Sequence, residues 1–512
     1  MGLLSTGLGL SAQPVYPRLE AGPPGPARYK IDQLVFSRLG QLGIRPANIC
    51  SDVVFIRRAY LDLTGTLPPE RQVRAFLQDR DLDKRARLID SLLEADQFAD
   101  YWAMRWSDIL RVKAEFPINL WPNAAQAYYT WIKQAIRDRL PYDQFARQLL
   151  TASGSNFTAP QVNFLRATQS KDPVGMAQAV ALTFMGFRAD AWPQDKWRQM
   201  ARFFEPLSYK STGQWKEQIV YFDPTKTVDP NRHFILPDGK DVFVPEGQDP
   251  RYAFADWLVV PENPWFAKNI VNRIWYWLMG RGIIHEPDDI RPDNPPSNQQ
   301  LLAFLQEELV ASGWDLRHIY SLIAKSQVYQ LSCIPRDDRQ EAAVNFAYYP
   351  IRRLDAEVLI DAICQITGTT ESYSSMIPEP FTFVPQDHRS IALQDGSITS
   401  PFLEMFGRPP RDTGLESERN NRITAEQRLH LLNSSHIQRK LVQGPGIRSI
   451  MRSGPPGQVI NRLYLTILSR FPTPDELQVI DTYVQSGLVN RQQAMQDLAW
   501  ALVNSVEFLY RH

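Results

Sequence analysis

From Tyr29 onward, apolar residues recur at the three-and-four spacing that places them on one face of a helix. Ile31, Leu34, Val35, Leu39 and Leu42 mark a first helix, and residues 53–63 a second that Gly65 stops. Residues 74–77 and 86–93 continue the pattern. Across 101–112, Trp102, Trp106, Ile109 and Leu110 form one stripe; Tyr128, Trp131, Ile132, Ala135 and Ile136 form another before Pro141 breaks it. Further along, Asn263-Pro264 reads as an N-cap followed by a first-turn proline. Phe266, Ile270, Val271, Ile274, Trp275 and Leu278 then make a buried stripe that ends at Gly280. Residues 301–310 and 316–328 are the next predicted helices.

Two stretches break the rhythm. Residues 206–250 hold six prolines, with Asp238-Gly239 set between Ile235, Leu236, Val242 and Phe243, a hairpin signal. Residues 368–425 are rich in Pro, Ser, Asp and Gly; a long loop region in a helical protein is often functional. The expected fold is mainly α. Residues 1–28 are a leader, 29–205 an N-terminal helical domain, 206–250 a Pro-rich linker with a small hairpin, and 251–512 a C-terminal helical domain with a loop-rich insertion.

The chain also repeats itself. Ile56-Arg57-Arg58-Ala59-Tyr60-Leu61, then Pro68, matches Ile460-Asn461-Arg462-Leu463-Tyr464-Leu465, then Pro472, at an offset of 404. Leu88, Leu92 and Phe98 match Leu498, Leu502 and Phe508, and the last helix type recurs near 323–329. The unit reads helix, Pro-containing turn, helix, helix, with Thr473-Pro474-Asp475-Glu476 as a capping box. The tyrosines are expected on apolar faces and the arginines pointing outward or capping the preceding segment. Repeated units favour a scaffold or binding role over one compact catalytic core.

Composition narrows the function. At roughly 150 residues per domain, 512 residues suit about three domains or two large ones. Lys plus Arg and Asp plus Glu are 56 each, so overall charge holds the chain to neither nucleic acid nor anionic lipid. Thirteen tryptophans exclude a mostly disordered chain. Cys50, Cys333 and Cys364 include no Cys-x-x-Cys, which excludes zinc ribbons and covalent c-type haem. No apolar run reaches the ~18 residues of a membrane span. Residues 1–12 read as the end of a signal peptide with cleavage near Gln13, which predicts a periplasmic or secreted protein.

Candidate chemistry is sparse. No pair among the seven histidines has His-Glu-x-x-His spacing, and His430 and His436, six apart, fall on opposite sides of a continuous helix. Asp288, Asp289, Asp293 and Asn294 are hard oxygen ligands without EF-hand order, so no metal is assigned; Asp289 and Arg291 remain a candidate binding pair. The densest constellation is Arg408, Arg411, Asp412, Glu416, Glu418, Arg419 and Arg422. Arginine forks bind carboxylate, sulfate or phosphate, so Arg408, Arg411, Glu416, Glu418 and Arg419 are candidate residues for an anion or sugar site. The balance of signs favours an internal network, with Glu418 as the expected buried partner of Arg411. Walker, Rossmann and Gly-x-Ser-x-Gly motifs are absent.

Several long stretches resemble a bacterial family common in planctomycetes and often fused to cytochrome c-type modules. VVFIRRAYLDLTGTLPPERQVRAFL from Val53, ARLIDSLLEADQFADYWAMRWSDILR from Ala86 and FARQLLTASGSNF from Phe145 are similar to its N-terminal domain of unknown function 1549. DPRYAFADWLVVPENPWFAKNIVNRIWYWLMGRGII from Asp249, NPPSNQQLLAFL from Asn294 and FGRPPRDTGLESERNNRITAEQRLHLLN from Phe406 are similar to the C-terminal domain 1553. The resemblance implies an exported bacterial protein and supplies no reaction. Two departures matter. Many relatives carry Cys-x-x-Cys-His where this chain has Ala189-Asp190-Ala191-Trp192-Pro193-Gln194-Asp195, and Cys-x-Cys-Glu-Arg where it has Leu415-Glu416-Ser417-Glu418-Arg419. No haem or other cofactor is therefore expected. The expected function is an exported, haem-free binding or scaffold protein with protein partners in an envelope complex, polysaccharide handling being its candidate process. The alternative is a hydrolase with its site in the 368–425 loops; no catalytic signature is present.

Overall fold

A computed structural model describes residues 19–226 and 232–512; the leader before Leu19, with the expected cleavage site near Gln13, lies outside the described residues. About 52% of the described residues are helical and 6% are strand. The first helices, Lys30–Gln41, Asp52–Thr64, Glu70–Gln78, Lys84–Leu93 and Asp96–Ile109, follow the apolar stripes. Gly65 ends the second in the left-handed conformation, where an added Cβ would meet the Tyr101 ring at 2.6 Å. The stripe beginning at Tyr101 belongs to a helix that starts earlier, at Asp96, and stops before Arg111, whose φ is 57°. Buried apolar side chains from Ile31 to Phe508 form one contiguous cluster.

Boundaries moved where caps decided them. The helix expected from Asn263-Pro264 begins at Phe266, but Asn263 still supplies the cap: its Oδ1 accepts from the amides of Trp265 and Phe266 at 3.0 and 3.1 Å. The 316–328 prediction shortens to Leu316–Lys325 because Ser326 turns extended.

The repeat is present as Asp52–Thr64, Glu70–Gln78, Lys84–Leu93 and again as Pro456–Ile467, Pro474–Gln485, Arg491–Val503, with the Thr473/Glu476 capping box formed. The two copies touch. Arg57 donates to the carbonyls of Ile467 (2.8 Å) and Phe508 (2.9 Å), and Arg462 pairs with Glu70 at 3.0 Å. Only Arg462 points outward as expected. Arg57 and Arg58 turn inward, because free carbonyls at loop and helix ends need donors. Arg58 donates to Tyr329, Leu331 and His512 carbonyls and lies 3.7 Å over the Tyr349 ring. Tyr464 is buried, and Tyr60 is half-buried.

Residues 206–250 hold more structure than one hairpin. His233–Ile235 pairs with Asp241–Phe243 around Asp238-Gly239 as predicted. A second hairpin, Leu207–Ser211 with Gln218–Phe222, adds Gly154–Ser155 to make a three-stranded sheet. Leu207–Ser211 and Gln218–Phe222 are only five residues each, too short for their pattern to stand out in a Pro-rich stretch. The 368–425 region is mostly irregular, with short helical turns at Ser390–Ala392, Pro401–Met405 and Glu416–Glu418. Buried carboxylates hold it: Asp361 accepts from the Ser390 and Ile391 amides, and Asp395 from the Ala114 amide.

Candidate functional site: an arginine-lined cleft

The Arg/Glu constellation of the loop splits into a buried layer and a cleft wall. Arg411 is fully buried. Its Nε meets Asp108 Oδ1 at 2.9 Å, so its partner is a helix residue and not Glu418. Glu418 instead accepts from the Asp412 and Thr413 amides, which closes the loop on itself. Arg419 reaches Asp108 at 2.6 Å and Glu357 at 2.7 Å, and Arg408 lies 3.5 Å from Glu357. Sequence reasoning missed these carboxylates because Asp108 and Glu357 sit on helices far away in the chain.

The electrostatics follow from this packing. Burial alone pushes the Asp108 carboxyl up, but Arg419 and Arg411 outweigh it and hold it below the usual range. Burial and the neighbouring Arg411 cation bring Arg408 down to about 10.

Above this layer lies a cleft of about 480 Å³. Its walls come from the Asp96–Ile109 helix (Tyr101, Arg105), the end of the Phe266–Met279 helix (Tyr276, Trp277), residues 351–355, the 416–423 loop and the final strand Tyr510–Arg511. Arg352 and Arg353 pair in register with Arg511 and Tyr510, which delivers three arginines to one place. Six arginines line the cleft: Arg105, Arg352, Arg353, Arg419, Arg422 and Arg511; two carboxylates, Asp355 and Glu416, face them.

Both carboxylates are taken. Asp355 accepts from Arg511 at 2.9 Å and Asn421 at 2.8 Å; burial raises it, but Arg511, Arg419 and Arg105 hold it well below the carboxylate range. Glu416 pairs with Arg105 at 3.1 Å and accepts from the Trp277 indole at 2.5 Å. Asp62, behind the wall, takes the hydroxyls of Tyr329 and Tyr349 at 2.9 and 2.8 Å and lies 3.5 Å from Arg511. Two arginines lack a carboxylate in direct contact. Arg353 donates to the Phe406 and Arg422 carbonyls and to Gln427, and Arg422 is exposed; neither has a carboxylate within ion-pair distance among the described residues. The Nε atoms of Arg352, Arg353, Arg419 and Arg511 are buried without a hydrogen-bond partner among the described residues.

Of the candidate residues, Glu416 and Arg419 line the cleft, while Arg408, Arg411 and Glu418 lie outside its lining. Asp289 and Arg291 also lie elsewhere and pair with each other at 2.7 Å. Their neighbour Asp288 is the linked residue: buried, it binds Arg273 at 2.7 Å and accepts from the Glu416 amide at 2.7 Å. Arg105, Arg352, Arg353 and Arg511 were missed; the only local signal was the Arg352-Arg353 doublet.

His430 and His436 are not on one helix. Extended Ser434 separates Ala425–Asn433 from Ser435–Gln443, and the rings meet with Nε2 and Nδ1 at 3.3 Å. Glu371 takes the other nitrogen of His436 at 2.9 Å. Among the described residues no group of three His, Cys, Asp or Glu side chains is placed to hold a metal, and no helix is long and apolar enough to cross a membrane. In the segment 189–195, Trp192 packs against Phe187 and Trp197 with centroids 4.6 and 4.7 Å apart.

These features define a mainly helical protein with a basic cleft built from both ends of the chain. Residues 30–209 match the protein of unknown function DUF1549, and residues 250–484 match the protein of unknown function DUF1553. The chain belongs to the family that joins these two domains in this order. Neither the curated proteins nor the solved structures contain a match to it.

Proposed function

We propose that the protein is an exported, haem-free binding protein whose ligand carries a carboxylate, sulfate or phosphate group seated in the arginine cleft. One observation carries the reading: Arg353 and Arg422 face the cleft without carboxylate partners, beside buried arginine Nε donors that also lack one. A buried donor without an acceptor is costly, and an anion supplies acceptors in the fork geometry that guanidinium groups match. Tyr276, Trp277 and Tyr510 give the cleft an aromatic wall on which the rest of the ligand packs.

Within the cleft, the same geometry supports binding over hydrolysis. Acid–base cleavage needs a carboxyl that keeps its proton near neutral pH. Asp355 is held ionised by three arginines, and Glu416 is tied to Arg105 and Trp277. A scaffold role with protein partners is compatible with this cleft, which would then recognise an acidic side chain or terminus.

Calorimetric titration of sulfate and of galacturonate tests the proposal. Arg422→Ala removes an exposed guanidinium that has no internal ion pair, so it should melt like the parent. It should bind either anion about 10- to 100-fold more weakly, the loss of one or two charge-assisted hydrogen bonds. Equal affinity in parent and variant, or no binding of any anion by the parent, overturns the proposal.

A further inference from the structure

Outside the cleft, three loops bring large apolar side chains together in the open. The first is the turn before the Pro122–Arg137 helix, where Trp121 donates to the Ala114 carbonyl. The second is the tip of the Leu207–Ser211/Gln218–Phe222 hairpin, with Trp215 69% exposed. The third is the turn at Pro378–Phe381, with Phe381 46% exposed. Trp121 lies 6.5 Å from Trp215 at 83° and 5.3 Å from Phe381 at 61°. The Lys216 ammonium sits 5.4 and 5.3 Å from the two tryptophan rings and has no carboxylate partner among the described residues.

The backbone under this platform is strained. Trp121 has φ 74° and ψ 148° directly before Pro122, and Lys216 has φ 61°. A bulky residue at positive φ is an outlier that persists only when the surroundings impose it, and such strain gathers at binding sites. Glu115 fixes the third loop to the first by accepting from Ser375 Oγ at 3.2 Å and the Met376 amide at 3.0 Å. Rings preset in this way lose little entropy on binding.

We infer that Trp121, Trp215 and Phe381, packed edge to face, form a binding platform for an acidic saccharide, with the exposed Trp215 ring as the stacking surface. The axial C–H face of a pyranose is slightly positive and lies against the negative face of an indole. A sugar carboxylate then meets Lys216, whose charge is met by the two tryptophan rings and by no carboxylate among the described residues. A neutral glucan leaves that cation unmatched, and fluid lipid has no use for rings locked by strained turns. The platform shares no lining residue with the arginine cleft, so this inference stands apart from the function proposed above.

A galacturonic acid hexamer tests it by calorimetry and tryptophan fluorescence, in an Arg422→Ala background so that the cleft contributes little. The expected result is saturable binding that shifts the fluorescence and weakens about tenfold or more in Trp215→Ala, the loss usual for a central aromatic anchor. Lys216→Ala should weaken the hexamer and leave glucose-hexamer binding unchanged. Sulfate titration of otherwise parental Trp215→Ala reports the cleft alone and should match the parent. Three results overturn the inference: hexamer affinity unaffected by Trp215→Ala, a glucose hexamer bound as tightly as the acidic one, or phosphatidylglycerol vesicles captured through Trp215 with no hexamer binding. Absence of sulfate binding in the parent would sink the cleft proposal and leave this test intact.

Discussion

Replacing Arg411 with alanine removes a guanidinium that touches no solvent and holds one oxygen of Asp108 at 2.9 Å. Its remaining bonds, to the Val112 and Gln394 carbonyls at 3.5 and 3.4 Å, are long and add little. Breaking a buried pair costs about 3–5 kcal/mol because a charge is left without its partner. Two features place Arg411→Ala near the low end. Asp108 keeps Arg419 at 2.6 Å, and Arg408, which Arg411 repels, is relieved. Asp108→Ala should cost more, since it strands Arg411 completely and strips one of Arg419's partners. The expected losses are about 3 and about 5 kcal/mol, and in a double-mutant cycle the pair should couple by about 2 kcal/mol. Urea unfolding followed by tryptophan fluorescence measures all three. If Arg411→Ala unfolds within about 0.5 kcal/mol of the parent, as a surface change does, the buried-network reasoning is wrong.

Two further outcomes are expected. His285, His430 and His512 are all held below the usual histidine range, by burial first and then by Arg281, His436 and Arg57, with His512 brought to about 4. The unfolded chain therefore takes up protons that the folded protein refuses, so these groups lower stability as pH falls from about 6.5 toward 4. Buried Asp361 and Asp395, raised by burial, act in the opposite sense, so the readout is a difference. Between pH 7 and 5 the urea midpoint of His512→Gln should fall less than the parent's, and equal slopes would refute the assignment. Asp62→Asn leaves Arg352, 3.6 Å away, without its carboxylate and weakens the hold on Arg511. It should cost about 3 kcal/mol without lowering sulfate affinity, since the cleft becomes more positive; weaker sulfate binding at preserved fold would contradict the electrostatic account.

The helices were legible because their signals are local. Gly65 and Gly280 stop helices, Asn263 caps one, and Asp238-Gly239 makes the predicted hairpin. The cleft was only half legible for the opposite reason. Glu416, Arg419 and Arg422 announced themselves as a dense run, but their setting depends on Arg105, Arg353 and Arg511, brought in from distant segments. Nothing local pairs Arg411 with Asp108 rather than Glu418; that choice is made by the Asp96–Ile109 helix lying beneath the loop. His430 and His436 mislead in the same way, since a single extended residue at Ser434 turns a face-opposed pair into a contact. The platform hid because Trp121, Trp215 and Phe381 sit in three separate turns, each unremarkable alone.

The central claim is that the cleft holds an anion between Arg353, Arg422 and their neighbours. Crystals of the full chain soaked in selenate, with anomalous diffraction at the selenium edge, test it most directly. The account predicts a peak at hydrogen-bonding distance from the Arg422 and Arg353 guanidinium groups, absent from Arg422→Ala crystals treated alike. Selenate found only at surface lysines, with the cleft empty in the parent, would contradict it.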